Sequence, residues 1–151
     1  MIRYTCCESP LGLIRIGTTQ NALISVKLSD QSAPCDPSAL SEAAAKQLQE
    51  YFDGMRKTFD VPIALNGTPF QLSVWNALLQ IPYGETRTYG EIAAMIGNPK
   101  ASRAVGMACN RNPIWILVPC HRVVGKNGAL TGFEGGLDVK KALLDLEQRN
   151  R

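Results

Sequence analysis

Histidine is nearly absent from this chain: 151 residues contain one, His121. Any imidazole chemistry must therefore run through that residue, and a zinc site built from cysteine and histidine is not expected. Long apolar runs are missing too. None approaches the about 20 residues that a membrane-spanning helix needs, so no membrane partner is expected. The opening residues Met-Ile-Arg-Tyr-Thr-Cys-Cys-Glu carry charge where a secretory signal needs an uninterrupted apolar core. The five cysteines, Cys6, Cys7, Cys35, Cys109 and Cys120, are irregularly spaced and include no C-x-x-C pair. That pattern is not a disulfide framework, and reduced thiols in the cytoplasm are expected. A G-x-G-x-x-G fingerprint is also lacking, and no cofactor is expected.

What remains is the composition of a globular protein, 45% hydrophobic and 19% charged. The net charge of +3 is unevenly placed. Residues 1–66 hold 6 basic and 7 acidic residues, and residues 67–151 hold 10 and 6. A basic C-terminal part suits nucleic acid, although a solvated basic surface has the same count.

The N-terminal part reads as an antiparallel meander. Strands are expected over Ile2–Cys7, Leu13–Ile16 and Ala22–Leu28, with turns at Ser9–Gly12 and Thr18–Asn21. A loop over 30–37 leads to a helix over Ser38–Phe52, capped by Ser38 or Ser41 and ended by Gly54. Phe59–Leu65 is expected to return as a strand, and a domain boundary is set near Asn66-Gly67, dividing the chain into 1–66 and 67–151. Thr68-Pro69 opens a helix carrying Phe70, Val74, Trp75, Leu78 and Leu79. Thr88 and Glu91 match a capping box for a helix to about Ile96. A Gly97-Asn98-Pro99 turn and a helix from Lys100 to about Cys109 complete a helix-turn-helix outline, which many helix pairs share. Ile114–Val118 reads as a buried strand or extended segment. The glycine-rich stretch 125–136 reads as a mobile lid or wing, and Asp138–Glu147 as a closing helix with Val139, Leu143, Leu144 and Leu146 on its apolar side.

Residues 119–123, Pro-Cys-His-Arg-Val, place the sole histidine beside a cysteine. A thiol has an unperturbed pKa of about 8.5 and needs a base or a cation to become a nucleophile near neutral pH. His121 and Arg122 are of the right type, but a buried structural cysteine beside a histidine reads the same in isolation.

The stretch Thr68–Glu147 resembles the O6-alkylguanine-DNA alkyltransferases, the methylated-DNA–protein-cysteine methyltransferases. The likeness rests on Thr68-Pro69-Phe70, Tyr83-Gly84, Thr88-Tyr89-Gly90, Arg103-Ala104-Val105-Gly106, Asn112-Pro113, Pro119–Val123 and Gly135-Gly136, in the family's order and spacing. The Ser9–Gly12 turn and its strands resemble the family's variable N-terminal domain. The resemblance implies an α+β fold: an N-terminal antiparallel sheet with a helix, like a ribonuclease H roll, then a helical domain with a winged helix-turn-helix-like motif. It implies a repair protein, consumed in one turnover, that moves an alkyl group from guanine O6 in double-stranded DNA to its own cysteine. O4-alkylthymine is left open as a second substrate, and a monomer is expected.

Carried over residue by residue, the resemblance makes Cys120 the nucleophile, His121 its base through a bridging water, Glu147 the orienter of the imidazole, and Tyr89 the donor to the leaving base. The base must rotate out of the stack, and Arg103 would fill the gap from a helix in the minor groove. Thr88, Ala104, Gly106 and Arg122 join Arg103 as DNA-binding residues, with Gly106 letting the helix lie close to DNA. Asn112 ties the recognition element to the cysteine segment, and Phe133, Glu134 and Val123 line the substrate pocket. The chain departs from the family at Phe133, where tyrosine is frequent, and at Glu134, where a small polar residue is usual. A lesion binder without transfer is disfavoured by Cys120, a promoter-reading regulator by the lack of an activator domain, and a cysteine hydrolase by the absence of a second histidine.

Overall fold

The fold comes from a computed structural model, which describes residues 1–30 and 35–151; part of the expected 30–37 loop, residues 31–34, lies outside the described residues. The chain divides into two compact units, Met1–Leu65 and Asn66–Arg151.

In the first unit, β1 (Arg3–Ser9), β2 (Gly12–Thr18) and β3 (Leu23–Leu28) form an antiparallel sheet in that order. Ser9 closes the first hairpin: its hydroxyl donates to the Gly12 carbonyl and accepts from the Leu11 amide. Gly12 sits at φ 119°, a conformation that favours glycine. Helix α1 (Ala39–Phe52) begins at a reciprocal cap in which Ser38 and Ser41 satisfy each other's backbone amides. It packs on the sheet through Ala44, Leu48 and Tyr51, against Ile14, Ile16, Leu23 and Val26. The expected strand over 59–65 is reduced to one parallel bridge, Leu23↔Ile63. Leu23 donates to Pro62 and accepts from Ala64, but the ladder extends no further.

The second unit holds α2 (Pro69–Leu78), α3 (Tyr89–Met95), α4 (Ser102–Asn110) and α5 (Leu137–Arg149). Two more reciprocal caps fix where α2 and α3 start, Thr68 with Gln71 and Thr88 with Glu91. The turn before α4 runs two residues longer than the sequence suggests, because Ala101 donates to the Asn98 carbonyl and the helix begins at Ser102. The Trp75 indole donates to the Ala108 carbonyl at 2.9 Å, joining α2 to α4 within a core of Val74, Leu78, Ile92, Val105, Leu143 and Leu146. A two-residue parallel pair, β4 (Arg87–Thr88) with β5 (Val123–Val124), fastens the cysteine segment beside the start of α3.

The 114–118 run is not a strand. Asn112 accepts from the Ile114 amide and donates to the Val118 carbonyl, folding the run into turns with Ile116 at φ 74°. Among the described residues no helix is long and apolar enough to cross a membrane.

Candidate active site

Pro119 ends the folded 114–118 run, and Cys120–Arg122 forms a single 3-10 turn held by bonds from Cys120 to the Val118 carbonyl and from Arg122 to Pro119. This compact turn sends three successive side chains inward: Cys120 is 3% exposed, His121 is fully buried and Arg122 is 7% exposed. Glu147 meets them from α5. The buried residues of that helix are Lys140, Leu143, Leu146 and Glu147; of the expected apolar stripe Leu143 and Leu146 are buried, while Val139 and Leu144 are half-buried.

The Glu147 carboxylate is the centre of a buried network. Oε2 lies 2.6 Å from His121 Nε2 and accepts from Arg122 Nη2 at 3.0 Å. Oε1 accepts from Arg122 Nε at 2.8 Å and from the Gly84 amide at 3.1 Å. Arg122 Nη1 donates to the Ile81 carbonyl at 2.7 Å, and Gln148 donates to the Gly84 carbonyl at 2.8 Å. The guanidinium is thus a two-pronged partner for the carboxylate, the geometry in which arginine binds most strongly. Expected on the DNA surface, Arg122 is instead inside. Its charge is used to hold an ion that burial alone would neutralise.

The protonation states follow from this arrangement. Burial pushes the Glu147 carboxyl up, but the hydrogen bonds and charges of His121 and Arg122 outweigh it and hold the group well below the ordinary carboxylate range. Burial pushes His121 below its ordinary value, the Arg122 and Lys140 charges add to this, and Glu147 opposes it. With Arg122 balancing the carboxylate, the resting imidazole is neutral. Its Nε2 proton points at Glu147, and Nδ1 carries the lone pair; among the described residues Nδ1 has no hydrogen-bond partner. Burial pushes the Cys120 thiol up to about 11, against hydrogen bonding from Asn112 and the charge of Lys140. The resting site is therefore an uncharged thiol beside an uncharged imidazole.

Asn112 links three groups: the Val118 carbonyl, the Ile114 amide and the Cys120 thiol. Its own backbone amide donates to Cys109 at the end of α4. Tyr89, at the first position of α3, donates its hydroxyl to the Thr131 carbonyl at 3.1 Å. Phe133 stacks at a tilt on Trp115, centroids 5.2 Å apart, and Gly135 packs under both rings. Glu134 is exposed but close enough for its charge to push the Cys120 thiol up. Val123 is buried on β5, and Thr88 is taken up by its cap on α3.

On α4, Arg103 and Ala104 face outward, followed by Met107 at 62% exposure and then Arg111. A groove of about 280 Å³ beside this face is lined by Thr68, Phe70, Gln71, Ala104, Met107 and Arg111, among others. Gly106, two residues past Ala104, is half-buried. A Cβ there would make an ordinary van der Waals contact with the Tyr89 ring at 3.6 Å.

Lys140 escaped the sequence reading. It is fully buried, with its ammonium donating to the Thr131 carbonyl at 2.8 Å and standing 3.4 Å from the Tyr89 hydroxyl. The signal was available: Lys140, Leu143 and Glu147 share one helical stripe, so a lysine stands at an inward position.

Residues 69–149 match the family described as 6-O-methylguanine DNA methyltransferase, DNA binding domain, and residues 2–65 match its ribonuclease-like domain. The chain is similar to the methylated-DNA–protein-cysteine methyltransferase of Methanosarcina acetivorans, 54% identical over 95% of this chain and 97% of that one. It is similar to the Mycobacterium tuberculosis protein of the same name, 49% identical over 98% and 93%. Among solved structures, Mycobacterium tuberculosis O6-methylguanine methyltransferase superposes with a TM-score of 0.92 at 47% identity, covering 100% of this chain and 95% of that one. Mycobacterium tuberculosis OGT in complex with DNA gives 0.91 at 48%, covering 97% and 93%.

Proposed function

Because the chain belongs to the 6-O-methylguanine DNA methyltransferase family, and is on that ground a DNA-repair methyltransferase, we propose that Cys120 takes the alkyl group from O6-alkylguanine in double-stranded DNA. The observation that carries this reading is a buried thiol next to an imidazole whose far nitrogen is fixed on a buried, arginine-paired carboxylate.

In the proposed reaction the Cys120 proton passes to His121 Nδ1, by way of a water as the family resemblance implies. Glu147 stabilises the imidazolium that forms, as the orienting carboxylate does in other nucleophile–base sites. The sulfur attacks the alkyl carbon, a C–S bond forms and the O6–C bond breaks with its electron pair going to the base. Tyr89 turns its hydroxyl from Thr131 to the guanine and supplies the proton or hydrogen bond that makes the base a good leaving group. The thioether has no route back, so each molecule reacts once.

A stacked base cannot reach a thiol that is 3% exposed, so the nucleotide rotates out at a cost of a few kcal/mol. Arg103, exposed at the start of α4 with Ala104 beside it, is the residue we assign to the vacated stack. Phe133 and Glu134 border the pocket that receives the base. None of the five cysteines is in a disulfide, which favours a reducing compartment, and we place the protein in the cytoplasm as a monomer.

The test is intact-protein mass after incubation with a duplex carrying one O6-methylguanine, followed by peptide mapping. One added methyl on Cys120 with no second turnover is expected. A Cys120→Ser variant should bind the same duplex without gaining mass. A methyl on another residue, or transfer by the serine variant, would sink the assignment.

A further inference from the structure

Between Lys126 and Asp138 the chain carries a single charged residue, Glu134. It stands at the corner of a tight turn, closed where the Gly136 amide donates to the Phe133 carbonyl at 2.9 Å. Three anchors fix this stretch beside the cysteine. The Thr131 carbonyl accepts from Tyr89 and from Lys140. The Phe133 ring leans on Trp115, in the folded run that leads into Cys120. Gly135 is held beneath both rings, where a Cβ would stand 2.8 Å from each. The Glu134 carboxylate is thus exposed to solvent, while its backbone is pinned between anchored neighbours.

Two charges act on the Cys120 thiol in opposite senses. Lys140, buried on α5, draws it down, and Glu134 pushes it up. The lysine is engaged by the Thr131 carbonyl; the glutamate lies on the solvent side. A methyl group is indifferent to that negative charge. An alkyl group ending in a carboxylate is not, because it would bring a second anion to a place where negative charge already builds up as sulfur attacks and the base departs. Like charges in partly desolvated space repel, and repulsion built against one ligand is a recognised route to discrimination.

We propose that Glu134 is a specificity-determining residue that sorts O6-alkyl groups by charge: neutral adducts are accepted, and anionic ones such as carboxymethyl are disfavoured. The proposal rests on the reading of Cys120 as the alkyl acceptor given above. The transfer step is unchanged: the C–S bond forms at the methylene carbon, the O6–C bond breaks, and its electron pair goes to the base. Lys140 acts with the opposite sign on the same adduct, but equally in every Glu134 variant.

The experiment uses duplexes of one sequence that carry either O6-carboxymethylguanine or its neutral amide, O6-carbamoylmethylguanine. The two adducts match in size and differ in charge. The readout is the ratio of single-turnover rates, amide over acid, at saturating duplex, so that changes in DNA binding cancel. Glu134→Gln should lower the ratio by about 3- to 30-fold, the span between a hydrated and a partly desolvated charge pair. Glu134→Asp keeps the charge and should stay within about 2-fold of wild type. Added salt should move the wild-type ratio toward that of Glu134→Gln, since the carboxylate is exposed and screened. Methyl transfer should change by less than about 3-fold in either variant. The same ratio in wild type and Glu134→Gln would overturn the proposal and leave Cys120 as the acceptor. Exclusion of both adducts by a protein that still takes methyl would do the same, because size would then set the limit. Failure of wild type to take methyl on Cys120 would instead remove the underlying reading, and this proposal with it.

Discussion

Replacing Glu147 by glutamine tests whether the network behind the cysteine holds the second unit together as well as orienting its base. Four donors converge on the carboxylate: two from Arg122, one from His121 and one from the Gly84 amide. A glutamine carbonyl accepts at one end only, and its amino group then meets two donors at the other. The change also leaves the buried Arg122 charge without its counter-ion. Removing one partner of a buried pair costs about 3–5 kcal/mol. With a urea slope of about 1–3 kcal/mol per molar, the midpoint should fall by roughly 2 M. Both tryptophans, Trp75 and Trp115, lie in the second unit, so indole fluorescence reports its unfolding. The pH dependence has a definite sign. Because the folded carboxyl is held below its unfolded value, its contribution is complete above about pH 4.3 and fades as pH falls from there. The gap between wild type and variant should therefore narrow in acid. Arg122→Met combined with Glu147→Leu should be less destabilised than the sum of the single changes, since the pair leaves together. A midpoint shift below about 0.5 M for Glu147→Gln, well under the expected pair-breaking cost, would refute the reasoning.

Other outcomes follow from the same geometry. Iodoacetamide should label Cys120 of the DNA-free protein slowly at neutral pH and ever faster toward pH 11; a plateau near pH 9 would mean that burial does not govern the thiol. Arg103→Ala should slow transfer from duplex more than reaction with free O6-benzylguanine, because only the duplex requires flipping, and equal losses would remove the stack-filling role. Duplex affinity should fall with added salt through counterion release, and a flat response would contradict a basic binding face. Gly135→Ala would put a methyl 2.8 Å from both the Phe133 and Trp115 rings, and should destabilise the second unit by about 1–3 kcal/mol; an unchanged fluorescence midpoint would show that the pair yields freely.

Local signals carried most of the fold reading. Thr68 with Pro69 and Thr88 with Glu91 announce their helices because a helix start is settled within four residues. The strands of the meander were legible from alternation and turn residues. Segments whose conformation depends on distant partners were not. Ile114–Val118 looks like a strand in composition, yet Asn112 folds it into turns. Phe59–Leu65 looks like another, but finds a single bridge on β3. The β4–β5 pair joins residues 36 positions apart in two-residue strands that leave no periodic trace. At the site, the Cys-His motif was evident, while the interior place of Arg122 was not, because its partner Glu147 lies on another helix 25 residues away. Lys140 was overlooked because a lysine is ordinarily solvated, and only the inward stripe of α5 places it otherwise.

A protein consumed by one reaction must stay unspent until its substrate arrives. With Cys120 3% exposed and its thiol pushed up to about 11, hydroperoxides and small electrophiles meet neither a thiolate nor an open path. Burial thus acts as storage. The lifetime of an idle molecule is then set by how often the buried thiol becomes exposed, rather than by the intrinsic reactivity of sulfur. Evolution can lengthen that lifetime by tightening the packing around Cys120 without touching the chemistry.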